Sequence, residues 1–350
     1  MTREKQDDWK RTQVRMPQEQ YDEVTQYAEK NNFSLNTAIL DLISKSLISI
    51  DKKLPVTKLS LLERLKNIEN ILKNELHFDN ISLVASRLNT CIEMSNSVSY
   101  VRLTPSKVAE RMGQESASLY ENYFSGIVQP SFIELESLAN FFGVNKEWLK
   151  HEDMPIFNVK SDRLSLSPEE AVKQILNISL NPAVNNENEK PKDIYLVRND
   201  SEEGEFLIIR KYNEWKVDII TTPMHVSNVI GAGGTSMLKS FFLTLRILYE
   251  FYIDTRSSNN INVRSFIVNQ SKFSELSQGI IHPLFVLKNA TNNMWWEDIW
   301  DKNMYSNHEY WNGFIAISKC IQDEIEQDAV LQPMIEKIKN RELNIFKELK

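Results

Sequence analysis

From Arg11 to Met16 the chain alternates in side-chain character and then stops at Pro17: Arg11, Gln13 and Arg15 fall on one face, Thr12, Val14 and Met16 on the other. A period of two is the pattern of a half-buried strand, and so short a strand is not stable alone. Its unpaired backbone groups need a partner, either the same strand of a second copy or the edge of a larger sheet. The outward residues are hydrogen-bonding side chains of the kind that read base edges in the major groove of DNA.

Two helices are predicted to follow. Over Gln18–Asn31, Tyr21, Val24, Tyr27 and Ala28 recur at three- and four-residue spacing, with Pro17 placed in the first turn. Asn31-Asn32 breaks that helix. Ser34 is a suitable N-cap for a second helix running to about Leu47, with Ile39, Leu40, Leu42, Ile43 and Leu47 apolar.

On Arg15-Met16-Pro17, Ala28-Glu29-Lys30-Asn31 and Ser34-Leu35-Asn36-Thr37, segment 10–48 resembles the Arc/MetJ-type ribbon–helix–helix repressors. The resemblance implies an intertwined dimer whose two strands form an antiparallel ribbon in the major groove. It assigns base reading to Arg11, Gln13 and Arg15, and a DNA phosphate to Ser34, Asn36 and Thr37 at the start of the second helix. A helix N-terminus is a natural anion site, so the implied role is physically sound.

The net charge of −7 argues against a nonspecific nucleic-acid coat, yet Lys10, Arg11 and Arg15 form a local basic patch free of acids. The opening residues lack the apolar run of a signal peptide, and no segment approaches the roughly 20 apolar residues of a membrane span. Two distant cysteines and five scattered histidines offer neither a disulfide framework nor a zinc pattern, and point to a reducing, cytoplasmic setting. No metal or cofactor is expected.

Thr57–Leu76 carries Leu61, Leu65, Ile68 and Leu72 at alternating four- and three-residue spacing, either a short coiled coil between subunits or a core helix. Residues 82–157 read as five helices. Thr104-Pro105 opens the second, Gly113 ends it, and Ser116–Phe124 is the third. Pro130-Ser131 opens the fourth, to Phe142-Gly143, and Asn145–Lys150 is the last. With Val108-Ala109, Gly113, Gln129-Pro130-Ser131, Leu138-Ala139, Phe142-Gly143-Val144 and Glu147-Trp148-Leu149, this stretch resembles the lambda-repressor/Cro-like helix-turn-helix family. The resemblance makes Gln114, Ser116, Ser118 and Asn122 candidates for a second DNA contact. From Gly113 to Gln129, however, there is no Lys or Arg while Glu115 and Glu121 are acidic, which leaves little for phosphates. Protein contact or dimerisation is the competing use.

Beyond the polar stretch Asn177–Asp193, strands are expected at Ile194–Arg198, Glu205–Tyr212, Trp215–Thr221 and Val263–Val268. A hairpin should turn about Asn213-Glu214, and a further strand is expected at Leu284–Leu287. Helices are expected over Ser236–Ile253, Tyr310–Asp328 and Gln332–Leu349. Gly231-Ala232-Gly233-Gly234 reads as a flexible turn rather than a phosphate loop, and Ser236 as an N-cap rather than the nucleophile of a pair with Lys272. Trp295, Trp296, Trp300 and Trp311, beside several acids, fit a ligand pocket, a partner surface or a buried core. No catalytic set is present.

The expected architecture is multidomain, with a mainly α amino-terminal half and a carboxy-terminal α+β domain. It comprises a ribbon–helix–helix domain (1–50), a connecting helix (57–78), a helix-turn-helix domain (79–160), a linker (161–192) and an α+β domain (193–350). The expected function is a phage or bacterial transcriptional regulator of repressor type. Its partner would be double-stranded DNA, bound by a homodimer or higher homo-oligomer, with a small molecule or protein as candidate partner of the last domain. The alternatives are a DNA-tethered effector or toxin-like enzyme and a structural DNA organiser.

Overall fold

A computed structural model describes residues 17–31, 33–51, 83–178, 189–229, 231–254 and 261–348. The chain divides into two compact units, Met1–Lys73 and Asn74–Lys350. The strand expected at 11–16 and the connecting helix expected over 57–78 lie outside the described residues.

The first unit is a pair of helices, α1 (Gln18–Lys30) and α2 (Leu35–Asp51). Pro17 is the residue before α1 rather than its first helical position, and its carbonyl accepts from Tyr21 N at 3.0 Å. The reversal between the helices is closed by Phe33 N donating to Ala28 O at 2.9 Å. The two helices are pinned by the Tyr27 hydroxyl donating to Asp41 Oδ2 (2.7 Å) and Lys45 Nζ donating to Tyr27 Oη (2.5 Å).

The second unit begins with five helices: α3 (residues 83–98), α4 (Pro105–Arg111), α5 (Ser118–Phe124), α6 (Phe132–Phe142) and α7 (Lys146–His151). Local chemistry sets their ends. Thr104 Oγ1 caps α4 through Lys107 N, and Ser131 with Glu134 forms a capping box on α6. Gly113 stops α4 in the left-handed region at φ 74°, while Gln114 N returns to Ala109 O at 3.0 Å. Arg87 on α3 donates to the carbonyls of Leu149 (2.9 Å) and Lys150 (3.0 Å), a cation at the carboxyl end of α7.

The α+β part is built on one mixed six-stranded sheet in the order β1-β4-β3-β2-β5-β6. The strands are β1 (Val159–Ser161), β2 (Asp193–Asn199), β3 (Glu205–Lys211), β4 (Val217–His225), β5 (Asn262–Val268) and β6 (Asn292–Asn293). β2, β3 and β4 form an antiparallel meander; β5 joins β2 and β1 joins β4 in parallel. The hairpin about Asn213-Glu214 forms because Asn213 Oδ1 accepts from both Trp215 N and Lys216 N.

The strand side chains alternate between two cores. Ile194, Leu196, Phe206, Ile208, Ile220 and Val263 face a layer of α8 (Pro168–Ile175), α9 (Ala232–Tyr252), α13 (Phe314–Gln327) and α14 (Gln332–Lys339). Tyr195, Val197, Leu207, Ile209, Val217 and Ile219 face the opposite core, shared with α3–α7, α10 (Gln270–Ser277) and α11 (Pro283–Lys288). Both sheet faces are therefore buried, and the five-helix bundle is one of the two covering layers. Packing does not break at residue 160, where the sequence suggested a domain boundary. The short helices α12 (Trp295–Asp298) and α15 (Asn344–Glu348) complete the carboxy-terminal side.

Further expectations differ from the structure: the single helix expected over Gln332–Leu349 is two, α14 and α15, parted at residues 340–343 where Arg341 takes φ 56°. Residues 161–192, expected as a linker, contain α8, whose Ala171, Val172 and Ile175 are buried against α9. Leu284–Leu287 lies in helix α11, because His282 Nδ1 accepts from Leu284 N and Pro283 takes the first helical position. Helix α9 begins at Ala232, so the glycine run forms its first turn, closed by Thr235 N to Gly231 O at 3.0 Å. A helix nucleated by the packed segment behind it extends by a turn at small cost. Ser236 is thereby helical rather than a cap, with its hydroxyl donating to Ala232 O.

Candidate nucleic-acid interface

Arg11, Gln13 and Arg15 lie outside the described residues. The phosphate-binding candidates are described. Ser34 immediately precedes α2; its Oγ accepts from Thr37 N (3.2 Å) and is 2.7 Å from Thr37 Oγ1. Asn36 and Thr37 are exposed in the same first turn. Helix geometry leaves the N–H groups of Leu35 and Asn36 without intrahelical acceptors, so this turn presents donors at the positive end of a 17-residue helix.

The first unit buries very little. Its buried apolar side chains among the described residues are Ala28 and Ala38, while Leu40 and Ile43 on α2 are 46% and 48% exposed, and Tyr21 and Phe33 are also exposed. Ile39 and Leu42 are half-buried in the helix pair, and Leu40 and Ile43 leave part of the apolar side of α2 without cover among the described residues of this unit. Lys45 is occupied internally: it pairs with Asp41 at 2.8 Å, and hydrogen bonds from Lys45 and then Tyr27 hold the Asp41 carboxyl below its ordinary pKa.

On the second unit, Gln114, Ser116 and Ser118 are exposed at the α4–α5 turn and Asn122 is half-buried one helical turn beyond Ser118. Ser116 Oγ accepts from Ser118 N at 3.2 Å, and the Asn122 carbonyl accepts from Ile127 N at 2.9 Å. The structure thus keeps Gln114, Ser116 and Ser118 on the surface, at alternate positions of one turn. Arg111, the cation just before the turn, is exposed, 5.1 Å over the Trp215 indole and 4.0 Å from Glu214. Glu110, Glu115 and Glu121 remain exposed, together with the apolar side chains of Leu119, Ile127, Val128, Phe132 and Ile133. Nothing in the linear order of residues marks Arg111 as a partner of Trp215, which lies far away in the chain.

Of the tryptophan group, Trp295, Trp296 and Trp311 are core residues, and Trp300 is half-buried. Among the described residues no group of three or more His, Cys, Asp or Glu side chains is placed to hold a metal ion. No described helix is long and apolar enough to cross a membrane. Comparisons with protein-family models, with curated proteins and with solved structures give no match.

Proposed function

We propose that the chain is a sequence-specific DNA-binding regulator of transcription, acting as a dimer through a β-ribbon formed by residues 11–16 of two copies. The observation that carries this reading is the half-exposed apolar side of α2, with Leu40 and Ile43 beside a core of two alanines. A second copy supplies the cover that α2 lacks, and the same dimer gives each lone strand its partner. Arg11, Gln13 and Arg15 then read base edges, and the capped first turn at Ser34, Asn36 and Thr37 holds a phosphate.

The helix-turn-helix reading of α3–α7 adds a second, weakly charged face at Gln114, Ser116, Ser118 and Asn122. With no Lys or Arg from Gly113 to Gln129, and Arg111 paired with Glu214, that face contributes little phosphate attraction, so affinity rests on the ribbon. The test is a footprint of the full-length protein on the DNA upstream of its own coding region. The Arg11→Ala/Arg15→Ala variant should abolish protection, whereas Gln114→Ala/Asn122→Ala should trim it or leave it unchanged. Full protection by the Arg11→Ala/Arg15→Ala variant would overturn the reading.

A further inference from the structure

Helices α9, α13 and α14 and the loop after α12 enclose a cavity of about 360 Å³ on the carboxy-terminal side of the sheet, within the range of small-molecule sites at roughly 300–1,000 Å³. Most of the charge around it is already paired: Lys302 with Glu326, and Lys339 with Glu336 at 2.9 Å. Two charged groups lining it are not. Arg246 lies 5.3 Å over the Trp300 ring, yet its guanidinium donates no hydrogen bond and forms no ion pair with any described residue. Asp301 likewise forms no contact ion pair with any described residue, its charge acting on Arg246 only through space; one carboxylate oxygen accepts from Asn303 N at 2.9 Å.

A guanidinium has five N–H donors in a fixed fork and stays charged, so leaving it half-buried with no acceptor is costly unless something else supplies one. Burial holds Arg246 below its ordinary pKa, against the pull of Asp301, Glu336, Glu250 and Glu326. The support behind it is rigid. Gln322, buried in α13, donates to the Trp300 carbonyl at 2.7 Å and fixes the segment that carries both the indole and Asp301. A guanidinium held over a ring whose backbone is anchored can take a carboxylate in bidentate fashion. Asp301 then selects a ligand that also carries an ammonium group, and it disfavours phosphates and other polyanions.

We propose that this cavity binds a free amino acid, its carboxylate on Arg246 and its ammonium on Asp301. The site rests on the geometry of the carboxy-terminal part alone and does not depend on DNA binding. It equips that part to sense a metabolite.

The experiment is calorimetric titration of the full-length protein with each standard L-amino acid, alongside inorganic phosphate. The amide and N-acetyl derivatives of any amino acid that binds are then titrated. Saturable binding of at least one amino acid is expected. Its amide and N-acetyl forms should each bind roughly thirtyfold more weakly, which is about 2 kcal/mol at tenfold per 1.4 kcal/mol. Arg246→Met should abolish binding and Asp301→Asn should weaken it by a similar factor, with circular dichroism of both variants unchanged. If Arg246→Met does not fold, Asp301→Asn and the two derivatives decide. The proposal is overturned if no amino acid binds the wild-type protein, if phosphate or the derivatives bind equally well, or if folded Arg246→Met keeps wild-type affinity.

Discussion

The Trp215 indole Nε1 donates a 3.0 Å hydrogen bond to the Phe141 carbonyl in α6, and so ties the β3–β4 hairpin to the helical bundle. The same ring carries Arg111 on its face and packs against Phe141 at 5.3 Å between centroids. The five helices therefore form a layer on the sheet rather than a module on a tether. Trp215→Phe removes the donor and part of the buried ring, for a loss of about 1–3 kcal/mol. In denaturant titrations, near-ultraviolet and far-ultraviolet signals of this unit should still coincide. Separate transitions for helices and sheet would contradict a shared core.

His282 gives the fold a pH limit. It is buried; Nδ1 accepts from Leu284 N at 3.3 Å, and so Nε2–H donates to Trp215 O at 3.0 Å, which makes the ring neutral. Burial pushes its pKa down to about 4 from an ordinary 6.5, only partly opposed by the bond to Trp215. A depressed folded-state value means that the unfolded chain binds the proton first. Stability is full above about pH 6.5 and falls as pH drops from 6.5 toward 4, by up to about 3 kcal/mol at 1.36 kcal/mol per unit. His282→Gln keeps a donor without the titration, so its melting temperature should vary less over this window. Identical pH profiles for the two proteins would remove His282 as the cause.

Gly204 is required by a buried cation. At φ 62°, a Cβ there would lie 2.5 Å from Arg198 Nη2 and 2.5 Å from Val226 O. Arg198 is fully buried and forms no ion pair with a described carboxylate, donating to the carbonyls of Val226 (2.8 Å), Asn199 (2.6 Å) and Ser201 (3.2 Å), with Trp311 at 4.2 Å beneath it. Gly204→Ala should cost about 2–3 kcal/mol, from the left-handed backbone and the displaced guanidinium. A loss below about 0.5 kcal/mol, an ordinary surface value, would show that the loop relaxes freely.

The exposed side of α2 is the basis for expecting a dimer. Leu40→Ser/Ile43→Ser should shift the protein from dimer to monomer in sedimentation and remove DNA binding with it. A dimer that survives the double substitution would place the contact elsewhere.

Much of the bundle was legible because its boundaries are local. Thr104-Pro105, Ser131 with Glu134, and Gly113 each mark an end through a bond within a few residues. The hairpin at Asn213 was legible for the same reason. The segment holding α8 was misread although Ala171, Val172 and Ile175 carry helical spacing, because the polar run after it dominated the window. The four apolar residues Leu284–Leu287 have no period that separates strand from helix, and only His282-Pro283 marked the cap. Strands such as Phe206–Ile209 are continuously apolar, a pattern of two-sided burial, but nothing local shows that the bundle provides one side. At the DNA-binding candidates, the Ser34 cap was visible in order, whereas the contact of Arg111 with Trp215 joins distant parts of the chain. The Arg246 cavity draws on four separate segments and leaves no pattern in any of them.

The central claim is base reading by a symmetric pair of strands, and selection of binding sites from random duplex DNA tests it most directly. The full-length protein should enrich an inverted repeat, Gln13→Ala should relax preference at one symmetry-related pair of positions, and Arg11→Ala/Arg15→Ala should enrich nothing. Enrichment of the same site by all three proteins, or of no site by the wild type, would contradict it.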